Sequence, residues 1–164
     1  MYPVLIVVQI LTSNSVHINK NSNMEEKDLS DVVLDPEKCK ELNDLGVYCP
    51  SPCIWWEQHI NTSTKIWEPW KVTTKQPTFS NDEYYNVLPA FTLQELLEML
   101  PKTIVAYKDG SKLPLMITIT GSGRYAIVYC NPYYKNGKVG LTISESLLEA
   151  AFNMLKWCKQ NNHI

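Results

Sequence analysis

Three stretches of the chain space their apolar residues as helices do, and the segments between them carry the spacing of strands. In the first helical stretch Cys39, Leu42 and Leu45 fall on one face. Asp35 can cap its start, Pro36 suits the first turn, and Gly46 can take the left-handed conformation that ends a helix, so a helix is predicted at about Asp35–Leu45. In the second, Leu93, Leu96, Leu97 and Leu100 make an apolar stripe, Thr92 with Glu95 reads as a capping box, and Pro101 is the stop. For the third, Thr142 with Glu145 reads as the opening, and Leu147, Leu148, Ala151, Met154, Leu155 and Cys158 line one face. That helix should lie across a sheet.

The strand pattern begins after "VYCPSPC", whose two prolines exclude a helix or a central strand. "CIWWEQHI" reads as a strand, "NTST" as a turn and "KIWEPW" as a returning edge strand carrying Pro69. Alternation puts Cys53, Trp55, Glu57 and His59 on one face and Ile54, Trp56, Gln58 and Ile60 on the other. The second set carries no charge, so Trp56 is expected in the core and Trp55 outside, beside His59. Residues 71 to 90 are polar and proline-bearing and read as a connecting loop with a helical turn at "DEYYNVL". "KTIVAY", "LPLMITIT" and "RYAIVYC", separated by "KDGSK" and "GSG", have the composition of an antiparallel meander of about three strands, followed by the loop "NPYYKNGKVG". The order helix, β-hairpin, helix, meander, C-terminal amphipathic helix predicts an α+β fold.

The length of 164 residues, with 45% hydrophobic and 20% charged residues, adds a domain count: one, over residues 24–164. Residues 1–23 read as an N-terminal extension outside the folded unit. Their apolar run Val4–Leu11 lacks the basic flank and cleavage site of a signal peptide and is far shorter than the roughly 20 residues that span a bilayer. The polar stretch "TSNSVHINKNSN" behind it has the character of a linker.

Charge changes the picture in one respect. The net charge of −2 gives no overall pull toward nucleic acid or an anionic membrane, yet residues 24–101 hold 14 acidic and 6 basic side chains while residues 102–164 hold 3 and 8. Arg124 is the single arginine, so phosphate clamping or guanine readout would fall to lysines, and no nucleic-acid partner is expected.

Five cysteines, at 39, 49, 53, 130 and 158, form no disulfide framework and point to reduced thiols in a cytoplasmic setting. Cys49, Cys53 and His59 are three candidate zinc ligands, but no second cluster supplies a fourth, so neither zinc nor any other cofactor is expected. Trp55, Trp67, Trp70, Tyr84 and Tyr85, with His59 among them, are the candidates for a recognition surface on which a sugar ring or nucleobase could stack. For covalent catalysis only His59 with Cys49 or Cys53 could form a thiol–base pair, and nothing adjacent supplies an oxyanion hole. The "GSG" at 121–123 joins two strands and cradles no phosphate. No enzyme is expected.

Taken together, "PEKCKELNDLGV", the cysteine of "PCIWW", "FTLQELLEMLP" and "SLLEAAFNMLKWCKQNNHI" resemble, in that order, small uncharacterised proteins encoded by phages and prophages of gut Bacteroidetes. The resemblance spans about residues 35–164. It implies that Cys53 precedes a strand, that the other cysteines lie outside the shared pattern, and that residues 1–23 lie outside the shared unit. The resulting expectation is a non-enzymatic accessory protein in the host cytoplasm that binds a protein partner, a host factor among the candidates. The alternative is a module that binds a carbohydrate or nucleobase on the tryptophan-rich surface, and behind it stands a small thiol or zinc enzyme.

Overall fold

A computed structural model describes residues 29–77, 83–105, 110–131 and 138–164. The extension expected at residues 1–23 lies outside the described residues. The fold is α+β; the elements among the described residues include three helices and two antiparallel four-stranded sheets. The chain forms two compact units that divide between Leu96 and Leu97, so the domain expected over residues 24–164 contains both.

The first unit opens on helix α1, Pro36–Asp44, as its punctuation predicts. The Asp35 side chain accepts the Lys38 N–H at 2.9 Å, and Pro36 starts the first turn. At the other end Gly46 N–H donates to Asn43 O and Val47 N–H to Leu42 O, both at 2.9 Å, with Gly46 at a φ of 73°. These are the two bonds of a Schellman ending, and buried Val47 and Leu42 supply its apolar contact.

Strand β1, Trp55–Asn61, is the centre of the first sheet. Strands β2, Ile66–Trp67, and β3, Lys71–Thr73, pair along one of its sides and β4, Tyr85–Pro89, along the other. The returning hairpin strand is therefore broken in two. Glu57 pairs with Lys71 and Ile60 with Trp67, so Gln58 and His59 of β1 face Glu68, Pro69 and Trp70. One residue is extra, and the bulge houses Pro69, which has no N–H for the ladder. The Gln58 side-chain amide donates to Glu68 O at 2.8 Å across this gap. β3 and β4 correct the sequence reading of residues 71–90 as a loop with a helical turn: "DEYYNVL" contributes a strand paired to β1 at five consecutive positions. Residues 78–82 of that stretch lie outside the described residues.

Helix α2, Leu93–Met99, has the predicted capping box: Thr92 N–H donates to Glu95 Oε2 at 2.7 Å and Glu95 N–H to Thr92 Oγ1 at 3.3 Å.

In the second unit β5, Thr103–Val105, β6, Lys112–Ile119, β7, Tyr125–Cys130, and β8, Lys138–Ser144, pair in chain order as an antiparallel meander. It has four strands rather than about three. β8 takes the end of the expected loop and the start of the expected helix, which corrects the reading of Thr142 and Glu145 as a capping box: Thr142 is a strand residue whose hydroxyl donates to Ala150 O at 3.0 Å. Helix α3, Leu147–Gln160, starts after Ser146 and lies on the sheet as expected, burying Ala151, Met154, Leu155 and Cys158. The register slips by one residue between Val128 and Tyr129, leaving Gly140 as the extra residue of β8. Its φ is 57°, and a Cβ there would lie 2.6 Å from the Trp157 ring. Among the described residues no helix is long and apolar enough to cross a membrane.

Candidate binding surface

The first unit holds all the aromatic candidates, and β1 alternation separates those of its central strand. Trp56 points into the core with 6% of its surface exposed, and its indole N–H donates to Leu34 O at 2.7 Å. Trp55 is half-buried on the opposite face, and His59 is exposed on that face, as expected from the pleat. The Leu34 carbonyl also accepts the Cys39 thiol at 3.4 Å, and Leu34 N–H donates to Phe91 O at 2.9 Å, so one backbone position ties α1, β1 and the segment before α2 together. Burial pushes the Cys39 thiol up to about 12, which keeps it a neutral core group.

On the outer face Glu57 and His59 of β1 meet Tyr85 of β4. The Tyr85 hydroxyl donates to Glu57 Oε2 at 3.2 Å, and its ring lies against the His59 ring with centroids 4.6 Å apart. Tyr85 is itself buried; burial and the neighbouring carboxylate raise its hydroxyl above the ordinary range. Trp55, Glu57, His59 and Tyr85 thus form a packed face in which the most polar groups already bond one another.

The core face has a different end. Beyond Trp56 it continues through Gln58, whose amide spans from Glu68 O on one side to the Asn86 amide on the other, at 2.8 and 3.5 Å. Beyond that polar row comes Ile60, paired with Trp67 on β2 and bonded through its N–H to Tyr84 O at 2.9 Å. Ile60 and Trp67 are paired and share a face, and Tyr84, just ahead of β4, continues the register beside Ile60. Tyr84 is 46% exposed and Trp67 37%. The Lys65 ammonium lies 5.7 Å from the Tyr84 ring centroid. Ile66, 66% exposed, extends the apolar surface around the hairpin end. Trp70 is half-buried in the bulge between β2 and β3. The six aromatic and histidine candidates therefore do not form one platform: Trp55, His59 and Tyr85 share one face, Trp67 and Tyr84 the other. Ile60 completes the second group and was missed by sequence reasoning, although its place at the apolar end of "CIWWEQHI" was the available signal.

The thiol and imidazole candidates separate too. His59 lies within β1, whereas Cys53 sits at a bend before that strand. The Cys49 thiol donates instead to Glu95 Oε1 at 3.3 Å, and burial followed by the Glu95 carboxylate pushes it up to about 11. Among the described residues no group of three or more histidine, cysteine or acidic side chains is placed to hold a metal ion. Arg124 sits exposed in the β6–β7 turn, its Nε 3.4 Å from Ser122 Oγ. No protein-family model, curated protein or solved structure matches the chain.

Proposed function

We propose that the protein acts by binding a protein partner through the end of the β1–β2 hairpin, without catalysing a reaction. The observation that carries this reading is the row Tyr84, Ile60 and Trp67, in which two large aromatic side chains flank an aliphatic one. Tryptophan and tyrosine dominate the energetic centres of protein interfaces because each removes a large rigid surface from water for little lost side-chain freedom. The exposed ends of the row and the adjacent Lys65 supply the polar rim such a centre needs.

The five cysteines are free thiols, which fits the cytoplasm of a host cell, and the likeness of the motifs to phage-encoded proteins makes a host factor the partner to seek first. The test is purification of the tagged protein from host cells beside a Trp67→Ala, Tyr84→Ala double variant of equal thermal stability. A protein that co-purifies with the wild type and binds the double variant at least about tenfold more weakly supports the reading, since each such anchor is worth about 2 kcal/mol or more. Equal retention by both, or quenching of tryptophan fluorescence by a sugar or nucleotide instead, overturns it.

A further inference from the structure

The loop "CPSPC" between α1 and β1 holds two thiols that the binding surface does not use. The backbone bends at Pro50, Ser51 and Cys53. Cys53 Sγ donates to Ser51 O at 3.7 Å. The two thiols differ in what they meet. Cys53 is exposed, whereas Cys49 is buried and donates its proton to Glu95 Oε1 at 3.3 Å. Glu95 is fixed for that role, because its other oxygen accepts both the backbone N–H and the hydroxyl of Thr92 at 2.7 Å.

We propose that Cys49 and Cys53 are a peroxide-reactive dithiol that closes reversibly to a disulfide, with Glu95 as the acceptor of the Cys49 proton. In the first step the Cys53 sulfur, having lost its proton to solvent, attacks a hydroperoxide. The O–O bond breaks, Cys53 becomes a sulfenic acid, and the leaving oxygen takes a proton to depart as water or an alcohol. In the second, Glu95 takes the Cys49 proton as Cys49 Sγ attacks the Cys53 sulfur. The S–O bond breaks, the S–S bond forms, and the released hydroxide takes the proton from Glu95 to leave as water. Two thiols are oxidised and one peroxide is reduced to two hydroxyl products. A cellular thiol reverses the closure by exchange, the usual fate of a disulfide in a reducing compartment.

The arrangement orders the two steps. An oxidant reaches Cys53 first because it is exposed, and Cys49 is held in reserve as a protonated thiol beside its proton acceptor. Closure also removes the Cys49 thiol from Glu95, which cuts the one side-chain bond from this loop to the start of α2 shown at that carboxylate. The prolines at 50 and 52 limit the freedom the loop loses on closing.

The experiment is treatment of the intact chain with a slight excess of hydrogen peroxide, alkylation of remaining thiols, and mass mapping of the peptide spanning residues 41–65. The expected product lacks two hydrogens, carries no alkyl group at Cys49 or Cys53, and returns to two alkylated thiols after dithiothreitol. In Cys49→Ser the reaction should stop at a Cys53 sulfenic acid that dimedone traps. In Cys53→Ser, oxidation of Cys49 should slow by at least about tenfold. With Glu95→Gln the sulfenic acid should accumulate before the disulfide appears. Over-oxidation of Cys53 in the wild type with Cys49 left free, or a disulfide joining Cys53 to a second chain, overturns the proposal; the wild-type result decides it even where a variant fails to fold.

Discussion

The two sheets are built to opposite plans. The second has its strands in chain order, one face covered by α3 and, among the described residues, a bulge at Gly140 that lets the Trp157 ring approach the backbone. The first has a central strand whose partner on one side is broken by Pro69, and its core face runs on past the core into the row of Tyr84, Ile60 and Trp67. Both sheets leave apolar side chains in water. In the second these are aliphatic, with Leu141 43% and Ile143 41% exposed on the face opposite α3, and scattered aliphatics of that kind are ordinary on protein surfaces. In the first, beside the aliphatic Ile66, two are the aromatic rings of Trp67 and Tyr84, flanking Ile60. The difference teaches where to seek recognition: in the sheet whose regular pairing gives way to a bulge and a protruding aromatic row.

The sharpest break of the comparison is at Trp56. Truncating a buried aromatic costs about 3–5 kcal/mol, and here the variant also leaves Leu34 O without its indole donor. Trp56→Ala should therefore destabilise the chain far more than Trp55→Ala, whose ring is half-buried on the other face. Chemical denaturation of both variants measures it, and hydrogen exchange should show the loss of protection greatest within residues 29–96. Equal midpoints for the two would mean that the assignment of faces along β1 is wrong.

The matching break in the second sheet is Gly140→Ala. A side chain at a left-handed φ costs roughly 1–2 kcal/mol, and overpacking against the Trp157 ring adds about 1–3. In a Trp157→Ala background the steric part should disappear and the backbone part remain. A double-mutant cycle on denaturation midpoints separates the two. A Gly140→Ala protein as stable as the wild type would remove the bulge from the account of this sheet.

Legibility followed local chemistry. The ends of α1 and the start of α2 were readable because each depends on residues within four positions: Asp35 with Lys38, Gly46 with Asn43, Thr92 with Glu95. The faces of Trp55 and Trp56 were readable because β1 is an unbroken strand. β4 was not, since "YYNVLP" is short, half polar and proline-ended, and only its five pairs with β1 make it a strand. β8 was hidden by its own bulge. The extra residue at Gly140 shifts the alternation, and Thr142 and Glu145 fell by coincidence at capping-box spacing. The candidate surface was half legible. The right aromatic residues could be named, but their division between two faces depends on pairing across three strands.

A smaller effect tests the local side of that lesson. Gly46→Ala forces a left-handed residue at the end of α1 and should cost about 1–2 kcal/mol. Gly46→Asn, which tolerates that conformation better, should recover part of the loss. Thermal melts of the three proteins at one pH are sufficient. If alanine and asparagine prove equal, the Schellman ending is not what the glycine serves.

The smallest expected effect lies at the other end of the same helix and reads out in pH. Burial alone would raise the Asp35 carboxyl, but the Lys38 N–H and the Lys38 ammonium 3.0 Å away together hold it below its ordinary value of 3.8. A carboxyl held lower in the folded state contributes stability that is fully present above the unfolded value and is lost as pH falls through the folded one. Asp35→Asn keeps a good capping oxygen for the Lys38 N–H and removes both the titration and the ion pair. Because that pair is largely exposed, the variant should be less stable than the wild type at pH 7 by no more than about 1 kcal/mol, and less so in high salt. Below the ordinary carboxylate range the two proteins should converge, since the wild-type residue is then neutral as well. A difference in melting temperature that stays constant from pH 7 to pH 3 would show that the charge at Asp35 contributes nothing and that its oxygen alone caps the helix.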